Sequence, residues 1–271
     1  MAASELVFLN ISGNILTDKT KPLTAYPDLI DRMAKEVADA ISKKKDMRLM
    51  IGTGAGSYGH PLAQKYNLIK GVKPGDPRGL EGIALCQDST AKLHRMFIAA
   101  MLKYKVPVFS VQPSSAAIAK EGKIYSFFTD HLKEMMDLGM VPVIYGDVLI
   151  DLEQGCAVIS TEAMARYLSK YFRFDRVIVA TRKEGIFSED PEINPNATFY
   201  TRIDSKNLPY IKHLLETQEG IDVTGGMRER VEKCYELARA GAHTIIISGL
   251  VENRLRDALL GREVKGTVVA V

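Results

Sequence analysis

RLMIGTGAGSYGH, running from Arg48 to His60, decides the fold. An apolar run of strand length, Leu49-Met50-Ile51, passes into Gly52-Thr53-Gly54-Ala55-Gly56, and the chain then turns or enters a helix near His60. Strand, small residues, then helix or turn is the pattern of an α/β sheet whose ligands collect beyond the carboxyl ends of its strands. Small residues let backbone N–H groups approach an anion closely, and the positive end of a following helix favours that anion. The same stretch also fits a bland reading, since a tight turn needs glycine wherever φ is positive.

Working outward, the rhythm repeats. LVFLNI at 6–11 precedes it, followed by Ser12-Gly13-Asn14 and a helical segment at 27–43. After it come a helix from about 82 to 104, VPVFSV at 106–111, a helix around 126–139 and VPVIYG at 141–146. VLIDL and CAVIS then read as a hairpin turning through Glu153, Gln154 and Gly155, with a helix near 161–172 beyond. RVIVA at 176–180, an irregular polar stretch to about 220, a helix at 226–240, TIIIS at 244–248 and the final strand GTVVAV complete the chain. This alternation of short apolar runs with helical periods predicts an α/β fold, a largely parallel sheet between helices. No internal repeat or low-complexity linker divides it, so a boundary near residue 172 would separate lobes of one continuous sheet.

The bulk numbers remove several function classes. With 36 Lys and Arg against 33 Asp and Glu, the net charge of +3 is too balanced for a general nucleic-acid or membrane binder, while leaving room for a local basic site. Cys86, Cys156 and Cys234 form no CxxC pair, which argues against disulfides and a zinc site. No stretch approaches the roughly 20 apolar residues of a membrane span. The expectation is a cytoplasmic protein with no metal held by protein ligands alone.

A third turn of small residues, Asp222-Val223-Thr224-Gly225-Gly226, stands before the helix at 226–240. Thr224 there reads as a helix cap or as part of a phosphate cradle. Three such turns point together to a polyphosphate site. None is a Walker A loop or a dinucleotide fingerprint.

GAGSYGHPLAQKYNL at 54–68, together with DVTGG at 222–226, resembles the isopentenyl phosphate kinases, a branch of the amino-acid kinase superfamily. TDK at 17–19, DPRG at 76–79, YGDV at 145–148, GIFSEDP at 185–191 and GTVV at 266–269 resemble further motifs of that branch, in the same order. The resemblance implies an open αβα sandwich and ATP-dependent phosphorylation of isopentenyl phosphate, with Mg²⁺ travelling with ATP. It implies an N-terminal lobe, 1–172, that binds the acceptor phosphate and forms a homodimer, and a C-terminal lobe, 173–271, that binds the nucleotide. His60 would clamp the acceptor phosphate, helped by Gly54, Ala55, Gly56, Gly59, Gly146, Asp147 and Ser160, with Ile83 and Cys86 along the prenyl group. Ser12, Gly13, Asn14 and Lys19 would serve the nucleotide from one side, and Thr181, Arg182, Lys183, Gly185, Gly225, Gly226 and Arg230 from the other. His60, Lys19 and Asn10 form the expected catalytic set. Read from spacing alone, Ile83 and Cys86 also fit ordinary core, Asp147 a turn acid, and Ser160 and Glu162 a helix cap with its first-turn acid.

The chain departs from that pattern at four places. The branch's first strand usually ends Lys-x-Gly-Gly-Ser, where this chain has Asn10-Ile11-Ser12-Gly13-Asn14. Ala55 stands among the glycines of the second turn, Arg230 takes the place of a lysine, and Thr181-Arg182-Lys183-Glu184-Gly185 carries an added base. A cation facing a transferring phosphoryl group contributes several kcal/mol, and Lys183 or Arg182 could supply the one that Asn10 lacks; the same two residues also read as a solvated charge run. The alternatives are a kinase of the same fold acting on another small phosphate or phosphonate, and a degenerate kinase fold that senses ligand without turnover. His94, His131, His213 and His243 lack partners at ligand spacing and read as surface or satisfied core residues.

Overall fold

The computed structural model describes residues 4–218 and 226–271. Strand β1 (Glu5–Ile11) lies at the centre, in parallel register with β2 (Met47–Thr53) on one side and β9 (Arg176–Thr181) on the other. Beyond β2 come β6 (Val141–Tyr145) and β3 (Val108–Ser110); beyond β9 come β13 (His243–Ser248), β14 (Gly266–Val269) and β12 (Arg202–Ile203). In this eight-stranded sheet only the β13–β14 pairing is antiparallel. The expected parallel α/β sheet is therefore observed, and segments from both sides of residue 172 share it.

The period-2 alternation of β1 explains why helices cover both faces. Leu6 and Phe8 enter one core with Met50, Ile144, Val177 and Val179, while Val7, Leu9 and Ile11 enter the other with Leu49, Ile51 and Ile178. The second core is closed by α2 (Pro27–Lys43), the long α4 (Pro77–Lys103) and α10 (Arg254–Leu259). In α2, Ile30, Met33, Ala34, Val37 and Ala40 recur at spacings of three and four and are buried, as an amphipathic helix requires. The first core is closed by α6 (Asp130–Asp137), α7 (Thr161–Leu168), α8 (Leu208–Gln218) and α9 (Gly226–Arg239). The helices α1 (Gly13–Leu16), α3 (His60–Lys65) and α5 (Pro113–Ala116) are single turns or little more. Among the described residues, no helix is long and apolar enough to cross a membrane.

A four-stranded sheet of β4 (Ala117–Lys120), β5 (Lys123–Phe127), β7 (Asp147–Asp151) and β8 (Gly155–Ile159) flanks the first half of the chain. The β7–β8 hairpin is the one expected from sequence. The β4–β5 hairpin is not: the helix expected over 126–139 begins only at Asp130. Its two-residue turn, Glu121-Gly122, has φ of 51° and 72°, the geometry that favours hairpins of right-handed twist. The helix expected from about 82 starts at Pro77, because Asp76 caps it, its carboxylate accepting from the Arg78 N–H, and Pro77 occupies the first turn. Gly79 and Gly82 lowered its helical appearance yet serve packing: a Cβ on Gly82 would lie 2.4 Å from Tyr66 Cβ. The polar stretch before 220 also holds β10 (Ile186–Phe187), β11 (Phe199–Tyr200), β12 and α8, the last anchored by buried Ile211 and Leu215.

Candidate active site

The carboxyl ends of β1 and β2 converge. Ser12 N–H donates to the Ala180 carbonyl at 2.9 Å and Gly54 N–H to the Ile11 carbonyl at 2.8 Å, which fixes both turns to the sheet. They touch through backbone: a Cβ on Gly13 would lie 2.2 Å from the Gly56 nitrogen, and one on Gly54 2.4 Å from the Gly13 nitrogen. Gly56 also has φ of +52°, so glycine is needed there on both counts. Thr17 is the tie. Its hydroxyl donates to the Gly13 carbonyl at 2.8 Å and accepts the Ser57 N–H at 2.9 Å. Thr17 was legible only as the first letter of TDK, because its bonds depend on the meeting of two distant turns.

These turns open into a cavity of about 1620 Å³. Ser12, Gly13, Asn14 and Lys19 line it from β1, and Gly54, Ala55, Gly56, Gly59 and His60 from the turn after β2. Gly146, Asp147, Ser160 and Cys86 line it too, as do Thr181, Arg182, Lys183, Gly185 and Arg230. Residues far apart in sequence thus meet in one space, two of the three expected turns among them; the third, at 222–225, lies outside the described residues. Gly226 begins α9, while Gly225 lies outside the described residues.

Two expected residues do not face this space. Ile83 packs with Leu62 and Tyr66 against the small core around Leu68 and Cys156, as the helical period of α4 dictates. Asn10 is only 1% exposed and points from β1 toward α7, where its Oδ1 accepts the Thr161 hydroxyl at 2.7 Å. Its Nδ2 has no hydrogen-bond partner. Cys86, by contrast, has its thiol pushed up to about 12 by burial, with Asp147 and Cys156 adding to it, so it presents a neutral wall.

The head of α7 gathers charge. Ser160 caps the helix by accepting the Ala163 N–H at 3.2 Å, which matches its sequence reading. Burial would raise the Glu162 carboxyl, but Arg230 and Lys233 outweigh it and hold the group at about 2. Arg230 Nε donates to Glu162 at 3.0 Å and its Nη2 to the Ser12 hydroxyl at 3.2 Å, while Lys233 Nζ donates to the Ser160 hydroxyl at 3.1 Å. Lys233 escaped the sequence reading: it is one charge among many in a helix, and only the packing of α9 on α7 aims it inward.

Asp147 is buried at 2% exposure, and burial raises its carboxyl against bonds from Ser114 N–H at 2.9 Å, Val148 N–H at 2.9 Å and the Thr90 hydroxyl at 3.4 Å. It braces the wall. Lys183 is engaged by Asp190 at 2.8 Å, and the Thr181 hydroxyl closes the same loop by donating to the Lys183 carbonyl at 2.9 Å. His94 corrects the sequence reading: its Nε2 meets Ser110 Oγ at 2.9 Å, but its buried Nδ1 has no partner. No group of three or more His, Cys, Asp or Glu side chains among the described residues is arranged to hold a metal ion. The cavity thus combines turns of small residues, the head of α7, and walls that carry both cations and carboxylates, an arrangement that can receive anionic groups at the glycine turns.

Comparison with known proteins gives a consistent result. Residues 5–248 match the model of the amino acid kinase family. The chain is 31% identical to the isopentenyl phosphate kinase of Methanocaldococcus jannaschii over 268 residues, spanning 97% of this chain and 98% of that one. It is 32% identical to the isopentenyl phosphate kinase of Methanothermobacter thermautotrophicus over 268 residues, with the same coverage of 97% and 98%. A crystal structure of isopentenyl phosphate kinase superposes with a TM-score of 0.83 at 29% identity, covering 97% of this chain and all of the other.

Proposed function

The chain belongs to the amino acid kinase family, and from that membership we propose that it transfers the γ-phosphoryl group of ATP to isopentenyl phosphate, giving ADP and isopentenyl diphosphate. The observation that carries the proposal is the backbone contact between the Gly13 and Gly54–Gly56 turns, with His60 and the cations of α9 lining the same cavity. Two phosphates are brought end to end most readily where the facing turns meet through glycine backbone, as Gly13 meets Gly54 and Gly56.

The chemistry asks little else of the protein. An oxygen of the acceptor monoester, already anionic near neutral pH, attacks the γ-phosphorus; the bond to the bridging oxygen breaks, and that oxygen leaves with ADP. No general base is needed, so alignment and charge neutralisation supply the rate. His60 is the acceptor clamp, with Gly54, Ala55, Gly56 and Gly59 beneath the phosphate and Cys86 along the hydrocarbon. Lys19, Gly13, Arg230 and the 181–185 loop attend the triphosphate. Mg²⁺ would enter as the counter-ion of ATP and supply charge neutralisation on its phosphates. In this reading residues 1–172 serve the acceptor and 173–271 the nucleotide. A homodimer forms through the first segment in this reading, as the resemblance implies.

A sensor without turnover is the second reading, favoured by the neutral, buried Asn10 at the end of the central strand. An ADP-release assay with ATP, Mg²⁺ and isopentenyl phosphate separates the two, the product being identified by mass. Isopentenyl diphosphate that disappears in His60→Ala supports the kinase; both ligands binding without ADP supports the sensor.

A further inference from the structure

We propose that Lys233 of α9 is the cation that meets the transferring phosphoryl group, in place of a positive charge that β1 does not carry; the inference rests on the phosphotransferase reading above.

The end of β1 is electrically neutral. Asn10 offers an amide, its Oδ1 is committed to the Thr161 hydroxyl at 2.7 Å, and its Nδ2 is buried without a partner. Charge reaches this place from α9. Lys233 Nζ lies 3.1 Å from the hydroxyl of Ser160, the residue preceding Asn10's partner, and both Ser160 and Lys233 line the cavity.

The other cations are less suited. Lys183 is engaged by Asp190 at 2.8 Å, and Lys19 and Arg182 are exposed residues. Arg230 comes close, but its guanidinium is fixed at both ends, on Glu162 and on Ser12, and the Glu162 side chain is only 12% exposed. A guanidinium neutralised by a buried carboxylate works as a brace, since releasing it would strand that carboxylate.

Lys233 is held differently. Its ion-pair partner is Glu229, one turn back on the same helix, with a side chain 41% exposed. An i,i+4 pair whose carboxylate end is exposed is weak and readily exchanged for a stronger anion. Lys233 itself is only 17% exposed, and its ammonium is a compact point charge on a flexible stem. It can leave Glu229 for a phosphate oxygen while Glu229 turns to solvent. Arg230 and Glu162 then act as positioning residues that keep Ser12 and the head of α7 in place.

The test compares wild type, Lys233→Gln, Lys233→Arg, Asn10→Lys and the Asn10→Lys/Lys233→Gln double variant. Steady-state constants, thermal midpoints and calorimetric affinities for ADP and a non-hydrolysable ATP analogue are measured for each. Lys233→Gln is expected to lower kcat by about 100-fold, the scale of a lost oxyanion-stabilising group, with KM for isopentenyl phosphate little changed, KM for ATP raised, and a slightly lower thermal midpoint because Lys233 also helps hold Glu162 ionised. Lys233→Arg retains more of the rate, and Asn10→Lys returns at least about a tenth of wild-type rate to the double variant. Wild type prefers the triphosphate analogue over ADP, and Lys233→Gln loses that preference. A kcat for Lys233→Gln within threefold of wild type overturns the proposal, and so does a folded double variant that recovers nothing. Should Asn10→Lys not fold, equal rates for the Gln and Arg variants overturn it. Should wild type fail to phosphorylate isopentenyl phosphate, the substrate reading fails, and the triphosphate preference alone decides the role of Lys233.

Discussion

Replacing Gly13 with alanine places a methyl carbon 2.2 Å from the Gly56 nitrogen, 2.6 Å from Gly56 Cα and 2.9 Å from the Gly54 carbonyl carbon. All three are backbone atoms, so no side chain can swing away. Ordinary contact needs about 3.5 Å, and the two turns must therefore part by roughly 1 Å. That displacement breaks or stretches the Thr17 bonds to the Gly13 carbonyl and the Ser57 N–H, the tie between the turns. Overpacking of this kind costs about 1–3 kcal/mol of stability, and a misplacement of about 1 Å between reacting groups costs on the order of 100-fold in rate. Gly13→Ala is expected to remain folded, melt several degrees lower and lose about 100-fold in kcat. Gly139→Ala is the control: its φ of +84° makes alanine strained, but nothing lies within 4 Å of the added methyl, so stability falls while kcat holds. Thermal unfolding and initial-rate measurements on both variants decide the matter. A Gly13→Ala enzyme within threefold of wild-type kcat would refute the claim that contact between the turns sets the distance between phosphates.

Three further outcomes follow from the same geometry. Cys86→Leu adds bulk to the cavity wall beside Gly59 and should raise KM for isopentenyl phosphate about tenfold while leaving KM for ATP unchanged, as measured with each substrate varied in turn. Thr161→Val removes the hydroxyl that Asn10 Oδ1 accepts, leaving both ends of a buried amide unpaired; denaturant unfolding should show a loss of about 1–3 kcal/mol. Burial, aided by Arg95, depresses His94 from 6.5 to about 3, so the unfolded chain takes up a proton that the folded one refuses. Its stabilising contribution is full above about pH 6.5 and falls as pH drops toward about 3, by up to about 1.4 kcal/mol per unit; His94→Gln should flatten the slope of unfolding free energy between pH 4 and 6.

Much of the architecture was legible because each face of the central strands is coded locally. Alternating apolar residues in LVFLNI and RVIVA announce burial on both sides, and the sheet follows. The misread segments are those where a tertiary contact overrides a local signal. Gly79 and Gly82 weaken the start of α4 in sequence, yet Tyr66 and Val72 occupy the space a methyl would take. KIYSF pairs as a strand only because Glu121 and Gly122 both accept positive φ. At the site, the glycine turns and His60 could be named from residue type and position. Thr17, Glu162 and Lys233 could not be placed, since an ordinary threonine, a first-turn acid and a helix lysine gain their roles only through partners 40, 68 and 73 residues away. Asn10 was visible as a departure, but its burial against Thr161, and the approach of Lys233 beside it, belong to the packing of α7 and α9.

Phosphorus NMR of a mixture of protein, ATP, Mg²⁺ and isopentenyl phosphate tests the central claim most directly, because it follows donor and acceptor together. The account predicts that the monophosphate resonance declines as the coupled pair of a diphosphate monoester grows in, with ADP appearing in equal amount and nothing forming when the acceptor is omitted. An unchanged acceptor resonance, at concentrations where both ligands are shown to be bound, would contradict it.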